Sequence, residues 1–388
     1  MIKIREIKTK RGFRGFIQFP NTLYRNDPYY VPELYVSQKT MFDRKKNPFF
    51  THSSVDFFLA YKAKQVAGRI ALIRNNPHIL RTGEKCGFFG FFESIDDFEV
   101  AKALFDKAVN WLGNEGLTSI IGPENFTTND SCGMLISGYD MPPVVMMPYN
   151  KAYYCDFLVR YGFVKEMDLS SYLLINDSIL RSPAVLKILE RIGNNLEASG
   201  ITIKTINYKT LDQEIIPLLG LYNKSNEDNW GFLPLTEQEF RRTAYQFRQF
   251  VPEKLILIVE KEKQPIGFIL AIPDLNKVLN HMRSGKLWPF GILKFLWYKR
   301  KINNARILIL GILEEFRNKG IDMLLYRKIQ ENLTSMGIYH GEAGYVMENN
   351  LKMKSILEKI GGKSIKKYRI FKFDSPAHDN HKLKEGIR

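Results

Sequence analysis

Arg317, Lys319 and Gly320 stand close together late in the chain, within the run GILEEFRNKGIDMLLY over 311–326. Such a set can hold a phosphate. The run reads as a strand passing through a short loop that turns at Gly320 into a strongly periodic helix. The first turn of a helix leaves several N–H groups without intrahelical partners beside the positive end of its dipole, and that end is a ready anion site. A glycine there lets the main chain approach a ligand with no Cβ in the way, and the two cations supply countercharge. Asn318 and Ile321 complete the loop. Asp322 puts a carboxylate in the first turn, which suits the dipole but repels a diphosphate unless the side chain turns outward and caps its own helix. The plainer account is an ordinary strand–loop–helix connection with solvated cations.

The elements that must position this loop occur in the same order twice. In the first stretch, 55–61, 65–73 and 86–92 are rich in aromatic and β-branched residues and read as strands. A helix follows over about 98–112, its apolar face formed by Ala101, Leu104, Phe105, Ala108 and Leu112. Then come a strand over 117–121 and a helix near 151–161 that stops at Gly162. In the second stretch, strands fall at 255–260, 266–272 and 306–310. A helix over 321–336 carries Ile321, Leu324, Leu325, Ile329 and Leu333 on one face and ends at Gly337. A strand over 339–346, a helix with Met353, Ile356, Leu357 and Ile360, and a last strand through SIKKYRIFKF close the unit. The connection near 176–200 is helical in pattern. This order predicts an α/β chain of two similar lobes, 1–175 and 176–388, each a mixed, mostly antiparallel twisted sheet flanked by helices.

The loop resembles the signature of the GNAT superfamily of acyl-CoA N-acyltransferases, V-x-P-x-x-R/Q-x-x-G-x-G/A between a strand and a helix. Ile312 takes the Val position, Arg317 the Arg/Gln position and Gly320 the first Gly, while Glu314 replaces the Pro and Asp322 the final Gly or Ala. Downstream, Asn350, Leu357, Gly361 and Gly362 fall at the offsets where members carry Asn, Tyr, Gly and Phe. The resemblance covers about 255–373. It implies acyl-CoA as acyl donor, with Leu310, Gly311, Ile312 and Leu313 lending main-chain groups to the pantetheine arm. The loop Arg317–Asp322 and Asn350 would lie around the pyrophosphate. An amine acceptor is implied, with acetyl transfer as the expected reaction. Leu357 stands where members often carry the tyrosine that protonates the departing thiolate. Glu342 and Glu348 are then candidates for the base, and Tyr345 or Tyr368 for the acid.

The first lobe lacks this loop. Between its strand and helix stand Glu93, Asp96, Asp97 and Glu99, four carboxylates with no compensating cation or suitable glycine, and Asp96 or Asp97 reads better as a helix N-cap. This lobe is expected not to bind CoA and instead to shape the substrate side. In the second lobe, NEDNWGFLPLT (226–236) is a candidate substrate loop through Trp230 and Phe232, or a plug into the core. The stretch 286–302 interleaves Trp288, Phe290, Leu293, Phe295, Leu296 and Trp297 with Lys294 and ends in Lys299, Arg300 and Lys301. It suits a lid between the lobes, a membrane interface or a long acyl chain.

Composition bounds the rest. With 388 residues, 45% hydrophobic and 25% charged, the chain is long enough for two cores. Lys and Arg number 57 against 41 Asp and Glu, so the net charge of +16 favours anionic partners: a membrane surface, phosphorylated small molecules or nucleic acid. Zinc-finger spacing, an RNP-like strand and a basic arm are all missing, which disfavours nucleic acid. Cys86, Cys132 and Cys155 form no CxxC pair, which disfavours a metal site and a disulfide framework, and His78, His281 and His340 show no ligand spacing. No apolar run is long enough to span a bilayer, and the basic start lacks an apolar signal core, so a cytoplasmic location is expected. Two rival functions stay open: a non-catalytic acyl-CoA-binding or scaffold protein, and an aminoacyl-tRNA-dependent transferase of the Fem kind.

Overall fold

A computed structural model of the chain describes residues 1–175, 182–282, 285–286 and 291–375. It divides into two compact units. One comprises Met1–Leu169, Leu279–Leu296 and the chain from Lys366 on; the other comprises Ser170–Val278 and Trp297–Ile365. The expected single boundary between 175 and 176 is therefore replaced by four, two inside strands at 169/170 and 365/366 and two inside helices at 278/279 and 296/297. Strand pairing between segments distant in sequence sets the first two, and hydrophobic periodicity carries no sign of it.

The first unit opens with β1 (Ile2–Glu6), α1 (Lys10–Leu23) and α2 (Tyr35–Met41), followed by β2 (Ser54–Lys62), β3 (Gln65–Arg74), α3 (Asn76–Thr82), β4 (Cys86–Ser94) and α4 (Phe98–Glu115). Then come β5 (Ser119–Gly122), β6 (Met134–Ser137), α5 (Tyr153–Tyr161) and the first half of β7 (Val164–Ile175). Strands β1 to β4 pair antiparallel in order, β5 joins β4 in parallel, and the last strand of the chain pairs antiparallel with β5 and β6. The five residues expected on the apolar face of α4 are all buried among Phe58, Ile70, Leu72 and Phe89. Asp97 is the N-cap, its side chain accepting from Glu99 N at 3.0 Å.

The second unit adds α6 (Pro183–Ala198), β8 (Ile201–Thr205), α7 (Leu211–Asn226), α8 (Glu237–Arg248), β9 (Ile256–Lys261), β10 (Gln264–Pro273) and α9 (Asn276–Leu279). Helix α10 (Gly291–Lys299) runs from the first unit into the second, and after it come β11 (Asn304–Ile312), α11 (Ile321–Thr334), β12 (His340–Met347), α12 (Leu351–Lys359) and β13 (Lys363–Asp374), the last returning to the first unit from Lys366. Its strand order is β7-β12-β11-β10-β9-β8, antiparallel from β8 to β11 and parallel between β11 and β12. Contrary to expectation, the segment 226–236 does not precede the first strand of this unit: β8, α7 and α8 are additional, and the segment joins the two helices. On α11, Ile321, Leu325, Ile329 and Leu333 are buried, as the periodicity requires, and Leu324 is half-buried.

Candidate functional site

The loop after β11 makes one 3-10 turn, Glu314–Phe316, and runs extended through Arg317. Asn318 (φ 65°) and Gly320 (φ 79°) then occupy the left-handed region, which asparagine tolerates and glycine adopts freely. A Cβ on Gly320 would also press the Ile192 side chain of α6, at 2.8 Å from its Cδ1. Gly320 is the N-cap of α11 and no side chain caps the helix. Asp322 therefore does not cap its own helix; its charge instead adds to the burial that pushes the Tyr326 hydroxyl pKa upward. Among the described residues, no acceptor receives the main-chain N–H groups of Asn318 to Met323. The mouth of α11 thus offers a series of uncommitted donors.

The cations around it divide their duties. Arg317 Nε donates to Ile312 O at 3.0 Å and Nη2 to Ser225 O at 3.4 Å, so this guanidinium braces the loop against β11 and the end of α7. Lys319 lies 4.9 Å from the Phe316 ring centroid and Lys352 donates to Asn318 Oδ1 at 2.5 Å. Asn350, expected at the phosphate, spends its side-chain oxygen on capping α12, accepting from Met353 N at 3.0 Å.

Beside the loop, two parallel strands part. The β11–β12 register runs from Asn304↔His340 to Ile307↔Ala343 and stops, though the strands continue to Ile312 and Met347. On its other edge β11 pairs with β10 throughout, with a shift between Leu270↔Ile309 and Ala271↔Ile307 that makes Leu308 an extra residue. A bulge bends its strand, and this one falls where the partnership with β12 ends. The opened edge of β11 carries Leu310, Gly311 and Ile312. Leu313 differs from expectation, since its amide donates to Ile266 O at 2.9 Å. A Cβ on Gly311 would lie 2.5 Å from both Phe268 Cε1 and Ser225 Oγ, so any larger residue there would have to displace those side chains.

At the fork sits a buried polar group. Glu342 on β12 is in register with Arg306 on β11, and both are buried. Ser171 Oγ on β7 donates to Glu342 at 2.5 Å. Arg306 donates through Nε and Nη2 to Gly344 O at 3.1 and 2.8 Å, and its guanidinium lies 5.4 Å from the Tyr345 ring centroid. Glu342 and Tyr345 are therefore brought together, with Arg306 and Ser171 as members that sequence reasoning missed. Arg306 had a signal, a lone cation in the apolar strand RILIL. Glu348 stands apart at the end of β12, where its carbonyl accepts from Lys354 Nζ at 2.9 Å. Tyr368 belongs to the core of the first unit, fully buried and in register with Leu135 of β6. Leu357 is fully buried.

Phe232 is a plug: it is buried against Tyr222, ring centroids 5.8 Å apart, while Asn223 binds both the amide and the carbonyl of Leu235 at 2.9 and 3.1 Å. Trp230, in the same turn, is half-exposed. Trp288 and Phe290 lie outside the described residues.

The first unit repeats the fork and fills it. Strands β4 and β5 pair in parallel only from Cys86↔Ser119 to Phe88↔Ile121, and β4 carries Phe91 at φ 51°. The chain leaving β5 then occupies the opening: Glu124 N donates to Phe89 O, and Asn125 Oδ1 accepts from Phe91 N, both at 2.8 Å. A Cβ on Gly90 would lie 2.0 Å from Glu124 O. Burial, with help from Asp130, pushes the Glu124 carboxyl up to about 8. Glu93 is buried too, accepting the hydroxyls of Tyr24 and Tyr154 at 2.7 and 2.8 Å. Burial raises its pKa and the nearby Arg69 opposes the rise. Among the described residues, no three His, Cys, Asp or Glu side chains are grouped to hold a metal.

Two curated proteins match nearly the whole chain. Protein YghO of Escherichia coli K12 is 32% identical over 374 residues, covering 95% of this chain and 94% of its own length. Bacterial ceramide synthase of Caulobacter vibrioides is 30% identical over 372 residues, covering 94% and 95%. The chain belongs to the family of these two proteins. No family model matches it. Among solved structures, a tandem GNAT protein from the clavulanic acid biosynthesis pathway aligns with a TM-score of 0.58 at 11% identity, covering 97% of this chain and 99% of that one. The chain thus has the GNAT-like acyltransferase fold.

Proposed function

We propose that the chain is an acyl-CoA-dependent N-acyltransferase whose second unit takes the acyl donor. The uncommitted amides from Asn318 to Met323, at the mouth of α11 and beside the β11–β12 fork, carry this reading. They fit a diphosphate, with Lys319 and Lys352 as countercharge, while the opened edge at Leu310–Ile312 fits an amide-bearing arm. The amine attacks the thioester carbonyl, the C–S bond breaks, the nitrogen loses a proton and the thiolate gains one. Glu342, at the fork, is the proposed base, and Tyr345 the nearest hydroxyl for the acid. The filled fork of the first unit supports the reading that this lobe does not take CoA.

The name of the Caulobacter relative bears on the acceptor. A ceramide is an amide between a fatty acyl group and a long-chain amino alcohol, so a long acyl-CoA and a lipid amine replace acetyl-CoA and a small amine as the pair to test first. Thiol release should be followed with acetyl-CoA and palmitoyl-CoA against sphinganine, glucosamine and a lysine peptide. Release with palmitoyl-CoA and sphinganine alone supports the lipid reading. CoA binding without release on any amine would instead favour an acyl-CoA-binding protein, the reading to which the buried Leu357 lends weight.

A further inference from the structure

One feature of the second half is not used by this reaction. Helix α10 turns its apolar side outward. Ile292, Leu293, Leu296 and Trp297 are 50%, 64%, 60% and 59% exposed, whereas Phe295 and Tyr298 are half-buried. At about 100° per residue, the four exposed side chains share one arc, and Phe295 and Tyr298 lie opposite it. Lys294 borders the arc on one side and Lys299 on the other. Arg300 and Lys301 follow the helix, and Lys301 Nζ lies 3.9 Å from the Trp297 ring centroid. An ordinary surface helix carries its polar residues outward and its apolar ones inward; here the outward face is apolar, with cations along both edges and at the C-terminal end.

We propose that α10 is a membrane-docking surface that seats Ile292, Leu293, Leu296 and Trp297 in the interface of an anionic bilayer. A buried protein interface needs few charges at its core and tolerates either sign at its rim. This rim has one sign only, and it belongs to a chain of net charge +16. Lysines flanking an apolar face extend toward headgroup phosphates while the face enters the acyl boundary, and a tryptophan favours that depth. Among the described residues no helix is long and apolar enough to cross a membrane, so the contact is made from one side. The proposal stands on α10 alone and holds whatever the acceptor proves to be.

Co-sedimentation of the full chain with vesicles tests it, using phosphatidylcholine alone and an equal mixture with phosphatidylglycerol. Binding should be confined to the anionic vesicles, weaken with added salt, and fall by more than about tenfold in Leu293→Glu/Leu296→Glu and in Lys299→Glu/Arg300→Glu/Lys301→Glu. Brominated lipid should quench the wild-type chain more than Trp297→Phe. All these side chains are exposed or follow the helix, so thermal melting and CoA binding should be unchanged, which separates loss of docking from loss of fold or of the acyl-donor site. Absence of vesicle binding, or equal binding by wild type and both charge-altered variants, overturns the proposal. So does a dimer in sedimentation velocity that Leu293→Glu/Leu296→Glu dissolves, since a second copy would then own the face.

Discussion

Asp322 and Glu342 carry opposite lessons about single carboxylates. Asp322 lies in the first turn of α11, where it favours the helix by about 0.3–1 kcal/mol through the dipole, yet it puts a negative charge in the same turn as the amides that are proposed to receive a diphosphate. Asp322→Asn should therefore lower stability slightly and tighten CoA binding by roughly two- to fivefold; calorimetry and melting read the two signs separately. Glu342→Gln keeps an acceptor for Ser171 but removes the base. It should cut turnover by about a hundredfold or more while leaving CoA affinity within twofold, and a stopped assay with measured CoA binding checks both. Residue types and spacing made the loop from Arg317 to Asp322 legible. The duty of Arg317 was not, because a guanidinium engaged by Ile312 and Ser225 reads the same in sequence as one facing a ligand. Tyr368 was misplaced for a related reason: a tyrosine near a site in sequence can belong to another core.

Among elements, α4 and α11 were readable because uninterrupted amphipathic periodicity leaves one buried face. Helix α7 was missed because Pro217 and Gly220 interrupt its pattern. Helix α8 has no buried residue, but its capping box, Thr236 with Glu239, was a usable start signal. Bulges were invisible, since Leu308 on β11, and the pair Phe91–Phe92 that faces the single Ile70 of β3, are extra only relative to strands elsewhere in the chain. The segment that fills the fork of the first unit has a titration of its own. Glu124 ionises near 4.5 when unfolded and at about 8 when buried, so between those values the folded chain holds a proton that the unfolded chain has lost. Stability should fall as pH rises across that window and level off above it. Urea denaturation at pH 5 and pH 8 should show wild type losing a few kcal/mol relative to Glu124→Gln over that interval; parallel pH dependences would refute the assignment.

For the whole molecule, the sequence conveyed that a motif occurs twice but not which residues complete each copy. Ser170–Ile175 contributes a strand beside β12 in the second unit, while Phe371–Asp374 pairs with β5 in the first. A cut between 175 and 176 therefore takes an interior strand from each. Chains 1–175 and 176–388 expressed separately should be insoluble or molten, judged by lost near-ultraviolet dichroism, whereas their co-expression should restore soluble protein.

The filled fork also sets a limit on engineering. Its stopper is main chain, the carbonyl of Glu124 against Gly90, and trimming side chains cannot withdraw a carbonyl. Opening the fork of the first copy would call for replacing the whole passage from Pro123 to Cys132. A library of point substitutions at that address would return stability mutants and leave the fork filled.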